Sequence, residues 1–368
     1  MPAHAETTSR ERVLAALAHR EADRAPITLG HGVNAPAKDQ LRKYLNHKTF
    51  AETDAWLSSF TDIRYVAPRY CGPADKFDAR PDGSRTDIWG VPRKPVEYTR
   101  GGVYYEISEN PLACATDASQ LFDYLWPQAD WFDTSDFDEQ IKKINGGKNT
   151  YALMCGTYMI FEHAWYLRGF ERFFSDMIEN EDIAWTIMER VTDYFVMFFR
   201  KVLEAGRGRF DILFGGDDIG GQHGLLMSPS MWDRMVKPHH KRLIDAVKPY
   251  GVKVMYHTDG SVAEAVPGLI DMGVDILEAL QFDAKGMDPK ILKDLYGDRL
   301  CFHGGVSVQS TLPFGTREDV VSEVKDRLRV LGKGGGYICA PSHAIQAGTP
   351  PENIEAFLTT AINYQSNH

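Results

Sequence analysis

The stretch VMYHTDGSV, residues 254–262, runs from apolar residues straight into a histidine, an aspartate and a glycine. A His-x-Asp pair where a buried strand ends reads either as a turn with both side chains wetted or as one edge of an active site. The ending recurs along the chain. Apolar runs finish in Asp217 and Asp218, in His257 and Asp259, in Glu278 and Gln281, in His303, and in Cys339 and His343. One polar strand end is trivial, because every strand must leave the core. Five in succession imply a pocket, since parallel strands bring their C-terminal ends to one face, where ligands bind. The candidate catalytic residues are Asp218, His257, Asp259 and His343. Asp217 and Asp218 are adjacent and point in different directions, and Asp218 is taken as the inward one. Asp259 serves either the pocket or the N-terminus of a helix beginning near Ser261. Cys339 is either a pocket thiol or an inert core residue. His257, Asp259 and Cys339 together make a chemically legal zinc set, since zinc accepts imidazole, carboxylate and thiolate and keeps an open position in catalytic sites.

These residues need a frame to bring them together. From about residue 148 the chain alternates short apolar runs with amphipathic segments: NTYALMCG, FDILFGGDD, GVKVMYHTDG, VDILEAL, RLCFHGG and GYICAPSH are strand-like, and helical patterns separate them. Parallel strands with crossover helices must be covered on both faces or closed on themselves. The expected fold is α/β, a (β/α)8 TIM barrel with an N-terminal helical extension and an inserted loop or hairpin region. A doubly wound open sheet is the competing solution. One domain, 1–368, is expected, with residues 1–147 supplying the extension, the first strands and the excursion, and 148–368 the regular βα units. Residues 8–19 read as a helix, Ile27 to Leu29 as the start of a strand, and 50–130 as the least regular part, punctuated by Asp-Gly, Gly-Pro and Gly-Gly pairs.

Composition narrows the function classes. Of 368 residues, 43% are hydrophobic and 25% charged, an ordinary globular mixture. A formal net charge of -10 gives no reason to expect nucleic acid. No apolar run is long enough to span a bilayer, and the opening residues carry no apolar signal core, so a cytoplasmic protein is expected. Five widely spaced cysteines without a CxxC pair make neither a disulfide framework nor a closed zinc finger. There is no GxGxxG after an early strand, no GxxxxGK[ST] and no GxSxG, and GKGGGY at 332–337 suits an αβ turn better than a phosphate cradle.

The sequence resembles the uroporphyrinogen decarboxylase superfamily, which also contains zinc-dependent methyltransferases acting with cobalamin or corrinoid proteins. The resemblance is carried by RERVLAALAHREADRAP with its Asp-Arg-x-Pro signature, by IWGVPRKP and GGVYYEISENPLA, by DDIGGQHGLLMSPSMWDRMVKPHHKRL, and by FHGGVSVQSTLPFGTREDV with GGGYICAPSHAIQAGTPPENI. It covers nearly the whole chain. Two departures separate this chain from its relatives. It has TLGHGVNAP where the true decarboxylases carry Arg-Gln-Ala-Gly-Arg, so decarboxylation of uroporphyrinogen is not expected. The methyltransferase branch offers His-x-Cys and a later Cys; here His257 and Cys339 match, while Asp259 replaces the middle cysteine, and Ser307 stands in a further divergent signature. The resemblance implies a zinc-dependent methyltransferase moving a methyl group between a small methylated donor, such as an aryl methyl ether, and a corrinoid presented by a partner protein, in a monomer or homodimer. Arg24, Arg64 or Arg69 would hold carboxylates under the alternative of a decarboxylase-like lyase. A non-catalytic protein binding a small molecule or corrinoid is a third reading.

Overall fold

In the computed structural model, which describes residues 7–76, 80–98 and 101–364, seven parallel strands curl into one sheet. Residues 77–79 of the expected excursion, 99–100, and the ends 1–6 and 365–368 lie outside the described residues. Numbered along the chain, β1 is Ile63–Tyr65, β2 Arg69–Tyr70, β3 Arg85–Thr86, β4 Pro92–Tyr98, β5 Gly102–Ile107, β6 Phe132–Asp133 and β7 Ala152–Cys155. They are followed by β8 Ile212–Gly216, β9 Lys253–Thr258, β10 Ile276–Ala279, β11 Cys301–Val306 and β12 Tyr337–Pro341. The sheet order is β1-β7-β8-β9-β10-β11-β12. Residues 26–28 occupy the gap between its edges. Ile27 bridges Cys339 in parallel, Thr28 N–H donates to the Cys339 carbonyl at 3.0 Å, and Asp62 N–H donates to the Ile27 carbonyl at 2.9 Å. The eighth staff of the barrel is thus little more than a bridge, and helices cover the outside.

The barrel interior is layered by the period of two along each strand. Ile63, Ala152, Ile212, Met255, Ile276, Cys301 and Ile338 point inward at one level. Val13, Ala16 and Leu17 of the helix Ser9–Leu17 pack on them from below. Thr8 and Glu11 form a capping box at the start of that helix, which fixes where this plug begins. The next inward position on each strand, two residues on, is Tyr65, Met154, Phe214, His257, Glu278, His303 or Ala340. The floor is apolar, and the layer above it carries the chemistry. Residues between these positions, such as Tyr256, Leu277, Phe302 and Cys339, face the larger core between barrel and helices.

The N-terminal third is more regular than its composition suggests. A helix, Phe50–Phe60, and barrel strand β1 both fall inside the stretch read as irregular. Thr49 caps that helix, accepting from Glu52 N–H. The true excursion follows β1. Its centre is the antiparallel sheet β3-β4-β5, which is tethered to the loops above the barrel: Asn34 Nδ2 donates to Tyr98 OH at 2.9 Å and Gln346 Nε2 donates to Tyr104 OH at 2.5 Å.

Candidate metal centre and its cavity

At the C-terminal ends of the strands the barrel opens into a cavity of about 670 Å³. Its polar layer comes from register. Glu278 of β10 pairs with His257 of β9 on one side and with His303 of β11 on the other. Glu278 is fully buried, and its Oε2 accepts from His257 Nδ1 at 2.5 Å. The same oxygen lies 3.5 Å from His31 Nε2, and Oε1 lies 3.7 Å from His303 Nδ1. One carboxylate therefore sits among three imidazoles. His303 is held on its other side by Thr28, with Oγ1 and Nε2 2.7 Å apart.

Two further histidines arrive from loops. His31 follows the strand-like residues 26–28, and His343 follows β12. The two loops run side by side: Ile345 N–H donates to the Gly32 carbonyl and Asn34 N–H to the Ile345 carbonyl, both at 2.9 Å. Gly30 makes the approach possible. Its φ is +56°, and a Cβ there would stand 3.0 Å from the Pro341 carbonyl oxygen and 3.2 Å from that of His343. The His31 ring centroid is 4.4 Å from that of His343 and 4.5 Å from that of His257. Each of the three rings offers one nitrogen, and these nitrogens lie within 4.8 Å of one another.

The cluster is electrostatically divided. Burial opposes a charge on His257, but Glu278, with Asp218 and Asp259 beyond it, pushes its pKa up to about 10. Burial likewise works against ionisation of Glu278, yet His257 holds it well below the usual carboxylate range. Burial lowers His303 to about 4, and burial with His31 and His257 nearby lowers His343 to about 4. These two rings are neutral, lone-pair-bearing imidazoles at pH 7, the form that binds metals.

The paired aspartates divide their work. Asp217 is fully buried and turns away from the cavity. It accepts from the N–H groups of Ile160, Phe161 and Glu162, each at 2.8 Å, and pairs with His240 at 2.7 Å. It thereby satisfies the start of the helix Phe161–Arg168. Asp218 lines the cavity, 3.5 Å from His257 Nε2, and accepts from Asp259 N–H at 2.7 Å. Asp218, His257 and Asp259 form a second group whose ligand atoms lie within 4.8 Å, and burial raises Asp259 to about 6. Asp259 does not cap the helix near it, which begins only at Val266.

Cys339 is not brought to this place. Ile338 belongs to the inward floor, so Cys339 faces outward into the core with its pKa pushed up to about 12 by burial. Among the described residues it belongs to neither potential metal group. The three arginines considered for carboxylates are engaged elsewhere: Arg24 with Asp62 at 2.7 Å, Arg64 with the Ser58 and Thr61 carbonyls, and Arg69 with Asp133 at 2.5 Å. No arginine or lysine lines the cavity among the described residues. Sequence reasoning missed His31, although TLGHGVNAP follows an expected strand, and gave no role to Glu278 or His303. The signal that would have found the last two is their spacing of two residues from the inward Ile276 and Cys301.

Comparison with known proteins agrees with this architecture. The profile of the family described as Uroporphyrinogen decarboxylase (URO-D) matches residues 139–364. A uroporphyrinogen decarboxylase of Syntrophotalea carbinolica is 24% identical over 284 residues, covering 73% of this chain and 76% of that protein. The methylcobamide:CoM methyltransferase MtbA of Methanosarcina acetivorans is 23% identical over 212 residues, 58% of this chain and 57% of that one. The solved structure of a methyltransferase from Methanosarcina mazei superposes with a TM-score of 0.67 at 18% identity, over 97% of this chain and 99% of that one. With its profile matching well over half of the sequence and its barrel shared end to end with a solved relative, the chain belongs to the uroporphyrinogen decarboxylase family, whose members include both decarboxylases and methyltransferases.

Proposed function

We propose that this protein is a zinc-dependent methyltransferase that moves a methyl group between a small methylated donor and a corrinoid. The observation that carries the reading is the convergence of His31, His257 and His343 over a buried carboxylate. The donor set fits zinc, which takes three protein ligands and leaves one position open in catalytic sites. Glu278 behaves as the partner a ligating histidine needs: it accepts the Nδ1 proton of His257, so that a metal displacing the Nε2 proton would find that nitrogen as its ligand. Its Oε1 is buried without a hydrogen-bond partner, 3.7 Å from His303 Nδ1. His31, His257 and His343 would hold the ion. Bound there, zinc would act as a Lewis acid on the heteroatom that carries the methyl group.

The chain's own residues account for the rest of the pocket. Met154, Met159, Phe214, Met255 and Leu29 give it an apolar wall suited to the body of a small organic donor. Among the described residues no arginine or lysine lines the cavity, which argues against a polycarboxylate such as a tetrapyrrole, a ligand that needs fixed cations. The hairpin β4–β5, hydrogen-bonded to the loops bearing His31 and His343, forms a rim on which a corrinoid carried by a second protein could rest. Sequence similarity runs to both branches, to MtbA and to uroporphyrinogen decarboxylases alike, so the choice of methyl transfer rests on the donor set and the cavity lining.

Elemental analysis of protein supplied with zinc, followed by incubation with cob(I)alamin and methylated donors, tests the proposal. One zinc per chain, lost in His31→Ala, His257→Ala and His343→Ala, together with a methylcobalamin spectrum, is the expected result. Wild-type protein without zinc, or loaded protein that methylates cobalamin from no donor, would overturn it.

A further inference from the structure

Glu162 lines the same cavity and belongs to no metal group. It stands in the first turn of the helix Phe161–Arg168, whose start is fixed by Asp217, and only 8% of it is exposed. No cation reaches its carboxyl group among the described residues. Its partners are Tyr166 OH, donating to Oε1 at 2.7 Å, and Asp218 N–H, at 3.4 Å from Oε2. The groups facing it are mostly acids or weak acids. Asp217 and Asp218 come from the end of β8 and Tyr256 from β9, and Tyr166 belongs to its own helix. Arg93 of β4 lies over the far ring of Tyr166, 4.7 Å from its centroid, and His240 is committed to Asp217. A buried carboxyl flanked by two carboxylates holds its proton far above the usual carboxylate range, against the pull of the phenol and the amide N–H that donate to it. Burial, then Asp217 and Asp218, raise its pKa to about 7.

Resting on the methyl-transfer reading of this cavity, we infer that Glu162 is the acid that protonates the heteroatom from which the methyl group departs. The lone pair of a cobalt(I) corrinoid forms the new bond to the methyl carbon. The bond from that carbon to the donor's oxygen, nitrogen or sulfur breaks, and its electron pair stays on the heteroatom. The Glu162 carboxyl gives its proton to that atom and becomes a carboxylate, which water reprotonates before the next turnover. Cobalt rises from +1 to +3 as the methyl group is transferred, so no further oxidant or reductant is required. Tyr166 positions the carboxyl group and does not supply the proton. The substrate class follows: donors whose departing group is a strong base, such as alkyl aryl ethers of ordinary phenols, depend on this acid. Donors whose departing group is already a stable anion depend on it little.

The test uses the full-length, zinc-loaded protein with cob(I)alamin and two aryl methyl ethers, one of an ordinary phenol and one of a nitro-substituted, acidic phenol. Glu162→Gln is expected to lose about a hundredfold or more on the first and far less on the second, with zinc content retained. Wild-type rate on the first ether is expected to fall as pH rises through about 7, and the Glu162→Gln rate to lack that limb. Tyr166→Phe should keep the limb with a lowered rate. An infrared band of a protonated carboxyl at neutral pH, present in wild type and absent from Glu162→Gln, gives a readout independent of turnover. Equal losses on both ethers, no loss on either, or no such band would overturn the role of Glu162 while leaving methyl transfer intact. Wild-type protein that methylates cobalamin from neither ether would overturn both together.

Discussion

Replacing Glu278 should weaken metal binding in two graded steps. The carboxylate accepts from His257 Nδ1 at 2.5 Å, is fully buried, and stands 3.5 Å from His31. Glutamine keeps an acceptor oxygen of the same size and reach but removes the charge. A hydrogen bond to a charged partner contributes about 1.5–3 kcal/mol and a neutral one about 0.5–1.5. The difference, about 1–1.5 kcal/mol, corresponds to roughly a tenfold loss in zinc affinity. Leucine removes the acceptor altogether. His257 is then free to place its proton on either nitrogen, and the loss should approach a hundredfold, the upper end for partners of metal-bound histidines. Competition against a chromophoric chelator at fixed pH measures both, and circular dichroism reports whether the barrel is intact. Wild-type affinity in both variants would refute the reasoning, because the nitrogen that Glu278 orients would then not be the one that matters.

Three further outcomes follow from the geometry. Gly30→Ala places a Cβ at φ +56°, 3.0 Å from the Pro341 carbonyl oxygen, and should destabilise by about 1–2 kcal/mol while lowering zinc affinity, as read by thermal melting and chelator competition. Cys339→Ala should keep stoichiometric zinc and cost only about 1 kcal/mol of stability, because the thiol faces the core; loss of zinc in a folded variant would return Cys339 to the site. His239 packs on Trp185 with ring centroids 4.4 Å apart, and burial lowers its pKa from 6.5 to about 3. Its folded pKa is depressed, so its contribution is intact above pH 6.5 and shrinks as pH falls from 6.5 toward 3, by about 1.4 kcal/mol per unit. Denaturant titrations across that window should show a shallower decline in His239→Phe, and an unchanged slope would contradict the buried neutral ring.

The repeated strand endings were legible because each combines an apolar run with an abrupt polar stop. VMYHTDG and FDILFGGDD announce both the strand and the residue that leaves it. What a fully buried strand conceals is which face a residue takes. In GYICAPSH the residues Tyr337, Ile338, Cys339 and Ala340 are all buried, so alternation of polarity is absent and a thiol on the outer face looks like one on the inner. Glu278 stood out as the one acid ending an apolar run, but VDILEAL gives no alternation that tells it faces the barrel axis. The N-terminal staffs fared unevenly. The stretch at Ile27 showed as the start of a strand, whereas β1, with three residues, is too short for any period to show, and the histidine that follows residues 26–28 was passed over with the loop.

The distribution of charge explains how one barrel can serve two chemistries within a family. Among the three acids at the end of β8 and the start of the neighbouring helix, Asp217 is spent on peptide N–H groups and His240, whereas Glu162 and Asp218 remain on the cavity wall. Glu278 adds a third carboxyl group at the level of the histidines. A decarboxylase acting on a polyanion needs the opposite balance, with fixed cations at the mouth, because a carboxylate substrate brought among carboxylates is repelled and desolvated together. Imidazoles and carboxylates, with no arginine or lysine among the described residues of the lining, instead favour a cation held by the protein and a ligand that carries no negative charge. The stretch TLGHGVNAP fits the same balance: it brings His31, not a fixed cation, to the cavity, 3.5 Å from Glu278 and against His257 and His343.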